Sequence, residues 1–202
     1  MRHAKFCRWN VSGVLLMLAS LFAWPAVGVA QTVVGNGTAV QATVLGLLGG
    51  TTTVLAGTGA LGGTTDALDV SQVTGDVPSL LTAEALAATT IGWPDQVISH
   101  ASLANLGLTL GGATISADSV LATATALLGA TGSGNAFIGN LSINGVPVAV
   151  TGEPNQTISI PGGQLVINEQ AVSPASTAVN ALHATVSGVA DVVIGSAVAG
   201  IQ

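Results

Sequence analysis

The sequence predicts a single all-β domain over residues 31–202, folded as an antiparallel, jelly-roll-like β-sandwich. Three observations carry this prediction. Apolar residues alternate with polar ones in short runs, turn residues separate those runs at short intervals, and Gly, Ala, Val, Thr, Leu and Ser dominate the composition. Such short alternating strands are typical of β-sandwiches. A β-solenoid is the alternative because the chain is rich in Gly, although the sequence has no fixed repeat period.

Residues 1–30 have the pattern of a secretory signal peptide. A basic start precedes a mostly apolar run over 14–23, and small residues lead up to a cleavage position after Ala30. The apolar run is too short and too interrupted for a permanent transmembrane helix. We therefore expect a secreted or cell-surface protein whose mature form has no membrane span.

Removing this segment changes the charge of the chain. All three Lys and Arg residues (Arg2, Lys5 and Arg8) and the one cysteine lie within it, whereas all nine Asp and Glu residues follow it. Residues 31–202 therefore have a formal charge of −9 and cannot form a disulfide among themselves. We expect no nucleic-acid partner, because phosphates need cationic side chains, and no attraction to an anionic membrane surface. Mild acid would remove the repulsion between copies and favour self-association through β edges that have no lysine.

The first half of the domain is less regular than the second. Residues 32–64 are rich in Gly and Thr, and we predict short strands and loops there. Residues 82–88 have some helical propensity, but the flanking β pattern favours a strand. From Val97 the alternation is clear, and it slips by one residue at Asp118-Ser119, which predicts a β-bulge.

Two consecutive β-hairpins are predicted between residues 141 and 167. Asn144-Gly145 between alternating apolar residues is a strong hairpin signal, because a type I′ turn needs positive φ at both positions. Pro147 would block further pairing on its side and predicts a sheet edge or a bulge. The first turn would place four apolar residues on the core face, namely Leu141, Ile143, Val146 and Val148.

The second of these hairpins turns at a Pro-Gly-Gly segment. Pro161, Gly162 and Gly163 stand between two short apolar runs, and this composition is typical of a turn. We predict a longer loop here than in the first hairpin.

The last hundred residues contain blocks that resemble a known family. Val-Thr-Gly-Glu-Pro-Asn-Gln-Thr at 150–157, Leu-Val-Ile-Asn-Glu-Gln at 165–170 and Val-Asn-Ala-Leu-His at 179–183 follow one another in order. Together they resemble the choice-of-anchor P family, which comprises bacterial secreted or surface proteins named for their variable C-terminal anchoring signals. The chain departs from the family at Val198, where a histidine often follows Ser-Ala. The resemblance implies a surface location and no particular chemistry.

His183 is the first candidate for chemistry. Glu169 lies on the preceding predicted strand and Asn180 on the same one, so a His–carboxylate pair could act as an acid/base. The alternative is a structural histidine, hydrogen-bonded within the sheet to Asn168 or Asn180. We favour the structural role, because no Ser or Cys nucleophile motif accompanies the pair. The spacing to His100 gives no support for a shared metal site.

Four further residues are candidates for binding. Asp66, Asp69 and Asp76 form the densest acidic group and are weak candidates for calcium, because their spacing matches no calcium loop. Trp93 could be a stacking platform for a sugar or an interface anchor. The interpretation that we favour for Trp93 is an apolar plug of the core at a turn.

The sequence leaves two function classes. No G-x-S-x-G, H-E-x-x-H, C-x-x-C or P-loop motif is present, so we predict no cofactor and favour a non-catalytic domain. Its role would be structural or adhesive, in the cell envelope or the extracellular matrix, with self-association or an envelope polymer as the partner. The alternative is a secreted glycosidase-like hydrolase, in which two scattered carboxylates meet in space. Convergence of the acidic residues in one concave pocket would favour the enzyme, and dispersal would favour the structural role.

Overall fold

The computed structural model describes residues 31–46 and 49–202, and every regular element in those residues is a β-strand. The predicted signal peptide, residues 1–30, lies outside the described residues. The chain from Gln31 to Gln202 forms one compact unit. The thirteen strands are β1 (Val33–Gly46), β2 (Gly49–Gly57), β3 (Ala67–Val77), β4 (Leu81–Gly92), β5 (Gln96–Leu110), β6 (Ala113–Leu127), β7 (Ser133–Gly139), β8 (Ser142–Ile143), β9 (Val146–Pro147), β10 (Gln156–Ile160), β11 (Gly163–Val172), β12 (Ser176–Val186) and β13 (Ala190–Ile201).

Two antiparallel sheets pack face to face, which confirms the predicted all-β sandwich. One sheet has six strands in the order β10-β11-β12-β13-β1-β2, and the other has seven in the order β3-β4-β5-β6-β8-β9, with β7 also paired to β6. Successive strands are mostly neighbours, so the connectivity is a meander that changes sheets twice and not the crossing connections of a jelly roll. The solenoid alternative does not describe this arrangement.

The six-stranded sheet is completed by the pairing of β1 with β13. These two strands come from opposite ends of the described chain and run antiparallel, from Val33 opposite Ile201 to Val44 opposite Ala190. Beyond them, the backbones of Thr32 and Gln202 exchange hydrogen bonds of 2.8 and 3.0 Å. The two ends of the described domain therefore lie side by side.

The core between the sheets is aliphatic. Its largest fully buried side chains are Leu and Ile residues, among them Leu108 and Ile115 from one sheet and Leu182 and Ile194 from the other. Many facing positions are alanine, which lets the two sheets approach closely without aromatic side chains. Among the described residues, no helix is long and apolar enough to cross a membrane.

The first predicted hairpin is confirmed, but its core face is smaller than expected. Asn144 and Gly145 have φ of 52° and 75°, as a type I′ turn requires, and Ile143 pairs with Val146. Pro147 lies on β9, which ends the sheet as predicted. The expectation that Val146 faces the core is wrong: it is 65% exposed, because β9 is two residues long and has nothing packed over it.

The second hairpin is tighter than predicted. Ile160 pairs with Gly163, so only Pro161 and Gly162 form the loop. Gly162 has φ of 74°, and Pro followed by a left-handed Gly is the signature of a type II turn. Gly163 itself belongs to β11, where an added Cβ would overlap the backbone carbonyl of Thr185 on β12. The expected longer loop is therefore wrong.

A row of residues with left-handed backbone crosses each sheet at mid-height, and we call these rows the crease. At the crease, most neighbouring strands skip one cross-strand pair, whereas β4 and β5 shift register on both sides of Glu84. The side chains that point into the core change from one parity along the strand to the other there. On β6, for example, Ala117 and Val120 are both buried although they are three residues apart. The crease residues, with φ between 47° and 63°, are Ala56, Asn168 and Gly195 in the six-stranded sheet and Ala85, Asn105 and Asn140 in the seven-stranded sheet.

The crease explains the phase slip that the sequence shows at Asp118-Ser119. The slip is confirmed, but both strands skip a residue: Ala104 pairs with Ser119 and Leu106 with Ala117. No extra residue is inserted in either strand there, so the feature differs from the predicted bulge, in which two residues oppose one. Residues 82–88 belong to β4, which confirms the predicted strand. β1 is longer than the short strands predicted, because it continues through the crease.

Candidate functional site

His183 lies between two carboxylates on the outer face of the six-stranded sheet. Its Nδ1 is 2.9 Å from Glu169 Oε2 on β11, and its Nε2 is 3.2 Å from Asp191 Oδ1 on β13. Asn180 donates from Nδ2 to the same Oε2 of Glu169 at 2.6 Å. These four residues, which we call the His183 cluster, connect three adjacent strands. Glu169, Asn180 and His183 are thus brought together as predicted, and Asp191 was not foreseen.

The crease is what places these side chains on one face. Asn180 and His183 are three residues apart, so simple alternation along a strand would put them on opposite faces. On β12, however, Ala181 and Leu182 are both buried, and the residues that flank them both point outward. Glu169 follows the left-handed Asn168 on β11 and is opposite Asn180.

The two carboxylates favour the charged form of His183. Partial burial lowers the pKa of the imidazole, but the hydrogen bonds and negative charges of Glu169 and Asp191 outweigh it, and the net pKa is raised above 6.5. In the imidazolium form, Nδ1–H donates to Glu169 and Nε2–H donates to Asp191. The cluster then pairs its one positive charge with two negative ones, in a domain that has no Lys or Arg.

This arrangement is suited to holding strands together and is poorly suited to acid/base catalysis. Both ring nitrogens of His183 are engaged, so neither is free to take a proton from a substrate. The nearest hydroxyl, Thr185 Oγ1, is 3.4 Å from Nε2. Asn180 is not hydrogen-bonded to the ring, and Asn168 donates to Gly152 O instead. The expected register contacts of His183 with these two asparagines are therefore wrong, since carboxylates take their place.

The structure separates the three aspartates that were considered for calcium. Asp66 accepts a hydrogen bond from Gly62 N and Asp69 accepts one from Thr89 Oγ1, both near the start of β3. Asp76 lies near the other end of the same strand. Within the described residues, no group of three or more His, Cys, Asp or Glu side chains is placed to hold a metal ion.

Trp93 is exposed at the turn between β4 and β5. Its side chain is 39% accessible, so the expectation of a core plug is wrong. The backbone of the turn is held by a 2.7 Å hydrogen bond from Trp93 N to Gln96 O and by one of 2.6 Å from Gln31 Nε2 to Pro94 O. Trp93 therefore lies in the short β4–β5 turn with its indole ring exposed, outside the core between the sheets.

The remaining acidic residues are dispersed over the surface. Glu84 lies on the outer face of the seven-stranded sheet, Asp95 in the β4–β5 turn and Glu153 in the segment before β10. His100 lies on that same outer face, on the side of the sandwich opposite His183. Two surface hollows have volumes of about 310 and 380 Å³. Asp76 lines the first, and no carboxylate lines the second.

Asparagine amides pair with carboxylates on neighbouring strands, and sequence reasoning missed this. Each pair lies at or next to the crease, and the partners are too far apart in sequence for a local pattern to reveal them. Where Lys and Arg are absent, amide N–H groups are among the side-chain donors that remain for a carboxylate. The pairs are Asn105 with Glu84 at 2.7 Å, Asn140 with Asp118 at 2.6 Å and Asn180 with Glu169 at 2.6 Å.

No family model, no curated protein and no solved structure matches this chain. The resemblance to the choice-of-anchor P family therefore stays a prediction.

Proposed function

We propose that the chain is secreted and that residues 31–202 act as a non-catalytic β-domain with a structural or adhesive role at the cell envelope or in the extracellular matrix. The observation that carries the proposal is the position of the ionisable groups. Glu84, Asp95, Glu153 and the His183 cluster lie at separate places on the surface. A glycosidase commonly uses two carboxyls that face one substrate. Outside the His183 cluster the carboxyls are dispersed, and within it Glu169 and Asp191 are both engaged by the imidazole of His183, so the arrangement favours the structural role.

The engagement of the polar groups supports the same conclusion. Three carboxylates are occupied by asparagine amides, and both nitrogens of His183 are occupied by carboxylates. Groups that are already satisfied within the sheet are poor acids, bases and nucleophiles, because a substrate would have to displace the existing partners. They are well suited to stabilising a rigid sandwich.

The proposed location has two supports. The first 30 residues have the pattern of a signal peptide, and the blocks between 150 and 183 resemble those of a secreted or surface family. A domain with a formal charge of −9 and no Lys or Arg remains soluble through mutual repulsion, which suits a protein at high concentration outside a cell.

The experiment follows the full chain, with a C-terminal epitope tag, in a bacterial host. Cells are fractionated, the N-terminus of the exported protein is sequenced, and retention of cells on glass is measured. We expect a new N-terminus at Gln31, protein in the envelope and medium, and increased retention. The matched control carries Arg2→Glu, Lys5→Glu and Arg8→Glu, which should block export because the basic start of the signal is lost.

Two results would contradict the proposal. One is uncleaved protein in the cytoplasm of cells with the wild-type chain. The other is hydrolysis of a glycoside by the purified protein that is lost in Glu169→Gln, because catalysis would then depend on a carboxylate that we assign to the sheet.

A further inference from the structure

The edge strand β3 has a long stretch of backbone that is free to pair. It has 11 residues, against nine in β2, seven in β7, five in β10 and two in β9, the other strands that pair on one side only. Among the described residues, the backbone–backbone hydrogen bonds of Ala67–Asp76 are made only with β4. β3 also contains no Pro, Lys or Arg, the residues with which edge strands commonly prevent pairing.

An exposed apolar side chain stands in the middle of this edge. Val73 is 85% accessible, the most exposed of the large apolar residues described, and it lies opposite Ala85 at the crease. Beside it is a shallow, mostly apolar hollow of about 380 Å³, whose walls include Gln72, Ala85 and Leu86. A free edge, an exposed valine and an apolar hollow at one place are typical of an interaction surface.

We propose that the partner of this surface is a second copy of the chain, joined by antiparallel pairing of β3 with β3 about a two-fold axis at Val73. In this pairing the two Val73 side chains meet at the axis and cover the hollows. Gln72 lies opposite Thr74 of the other copy. The axis falls where the crease already interrupts β3. The residues before Val73 in one copy therefore pair with the residues after Val73 in the other.

The positions of the charges favour this register. β3 has two carboxylates, and like charges placed directly opposite each other across two strands destabilise the pair. About an axis at Val73, Asp69 falls opposite Val77, and Asp76 falls opposite Val70. No carboxylate then faces a carboxylate, and the contact is isologous, as in most symmetric dimers. The inference deepens the proposed structural role and rests on it for its biological meaning.

The absence of cysteine from residues 31–202 allows a direct test. All variants of the full chain carry Cys7→Ser, so that an introduced thiol is the only one. Residues directly opposite in an antiparallel pair have Cα atoms about 4.5–5.5 Å apart, which a disulfide can span. We expect Val73→Cys to form several-fold more covalent dimer under mild oxidation than the matched control Val54→Cys, an exposed valine on the edge strand β2.

Sedimentation velocity supplies a measurement without a cross-link. The Cys7→Ser protein should show a dimer that increases with protein concentration and with salt, because salt screens the repulsion between two acidic copies. Val73→Asp should raise the dimer dissociation constant about tenfold or more, since it places two carboxylates opposite each other. Val54→Asp should leave that constant unchanged, and matching circular dichroism spectra would show that both variants fold.

Four results would overturn the inference, and the first three concern this chain alone. These are equal cross-linking of Val73→Cys and Val54→Cys, a monomer at every concentration and salt tested, and a dimer that Val73→Asp does not weaken. A monomer that binds an added protein through β3 would identify a different occupant and would also overturn it. Each of these readouts is independent of export and cell retention, so the β3 pairing and the proposed function can fail separately.

Discussion

Replacing His183 by glutamine should remove a stabilising interaction that is at full strength in the wild-type domain only when the ring is protonated. The pKa of His183 in the folded state is raised above 6.5, because two carboxylates outweigh the effect of burial. Below about pH 6.5 the contribution to stability is fully present. It is lost as the pH rises through the pKa of the folded state, because the neutral ring can donate only one of its two hydrogen bonds.

The magnitude follows from the two contacts. Side chains of Glu169 and Asp191 are 33% and 49% exposed, and that of His183 is 22% exposed, so solvent screens both ion pairs. Exposed pairs contribute about 0.2–1 kcal/mol each, and the desolvation of the ring reduces the sum. We expect the free energy of unfolding of the wild-type domain to fall by about 1 kcal/mol as the pH rises through the pKa of His183. For a domain of this size, that corresponds to about 2–4 °C in Tm.

The assay is thermal unfolding between about pH 6 and about pH 9, a range above the ordinary pKa values of carboxylates. Wild type should lose Tm across this range, and His183→Gln should lose clearly less. His100→Gln is the matched control, because it removes the other histidine of the domain without touching an ion pair. If His183→Gln and His100→Gln give parallel curves, the assigned charge state of the His183 cluster is incorrect.

Three further pairs of features are compared by chemical denaturation, which measures the free energy of unfolding. Gly145→Val should lower the free energy of unfolding by about 1–3 kcal/mol, because φ of 75° disfavours a β-branched residue. The control Gly63→Val should lower it less, because a side chain there also meets open space but the backbone has no left-handed φ. Equal losses would contradict the type I′ turn. Gly163→Ala should lower the free energy of unfolding by about 1–3 kcal/mol, because the added Cβ would meet the backbone of β12. A loss no larger than that of the control Gly63→Ala would show that β11 and β12 can move apart to accept the methyl group. Thr177→Val should leave the free energy of unfolding unchanged or raise it, since the buried hydroxyl of Thr177 has no partner among the described residues. Thr90→Val should lower it by about 1 kcal/mol, because it removes the buried 2.7 Å hydrogen bond to Ser99, whose hydroxyl keeps only its 2.6 Å bond to Val198 O. The opposite order of the two threonine variants would refute this assignment.

Local signals predicted the hairpins well, because their geometry depends on a few adjacent residues. Asn144 and Gly145 adopt positive φ as their types favour. The length of the second turn was missed, because Pro161-Gly162 already closes it and Gly163 is selected by its closeness to β12. A requirement set by a neighbouring strand is not visible in a single segment of sequence.

The crease is the main feature that the sequence did not reveal. Asn105 and Asn168 have residue types that tolerate left-handed backbone, but Ala56 and Ala85 do not, and neighbouring strands must supply the reason. Alternation alone therefore gave no basis for placing Asn180 and His183 on one face. The contact of His183 with Asp191 also needs the register of β12 against β13, in which Thr185 is opposite Asp191.

The adjacency of Thr32 and Gln202 has a mechanical consequence. A force that pulls these two residues apart acts across the hydrogen bonds between β1 and β13 at one end, so the bonds open one after another, as in a zipper. Resistance to such a force is low, because only one bond bears it at any moment. A force applied through one of the two residues and a bound surface elsewhere on the sandwich does not follow this path. A domain of this design would withstand tension best when it is tethered at one end only.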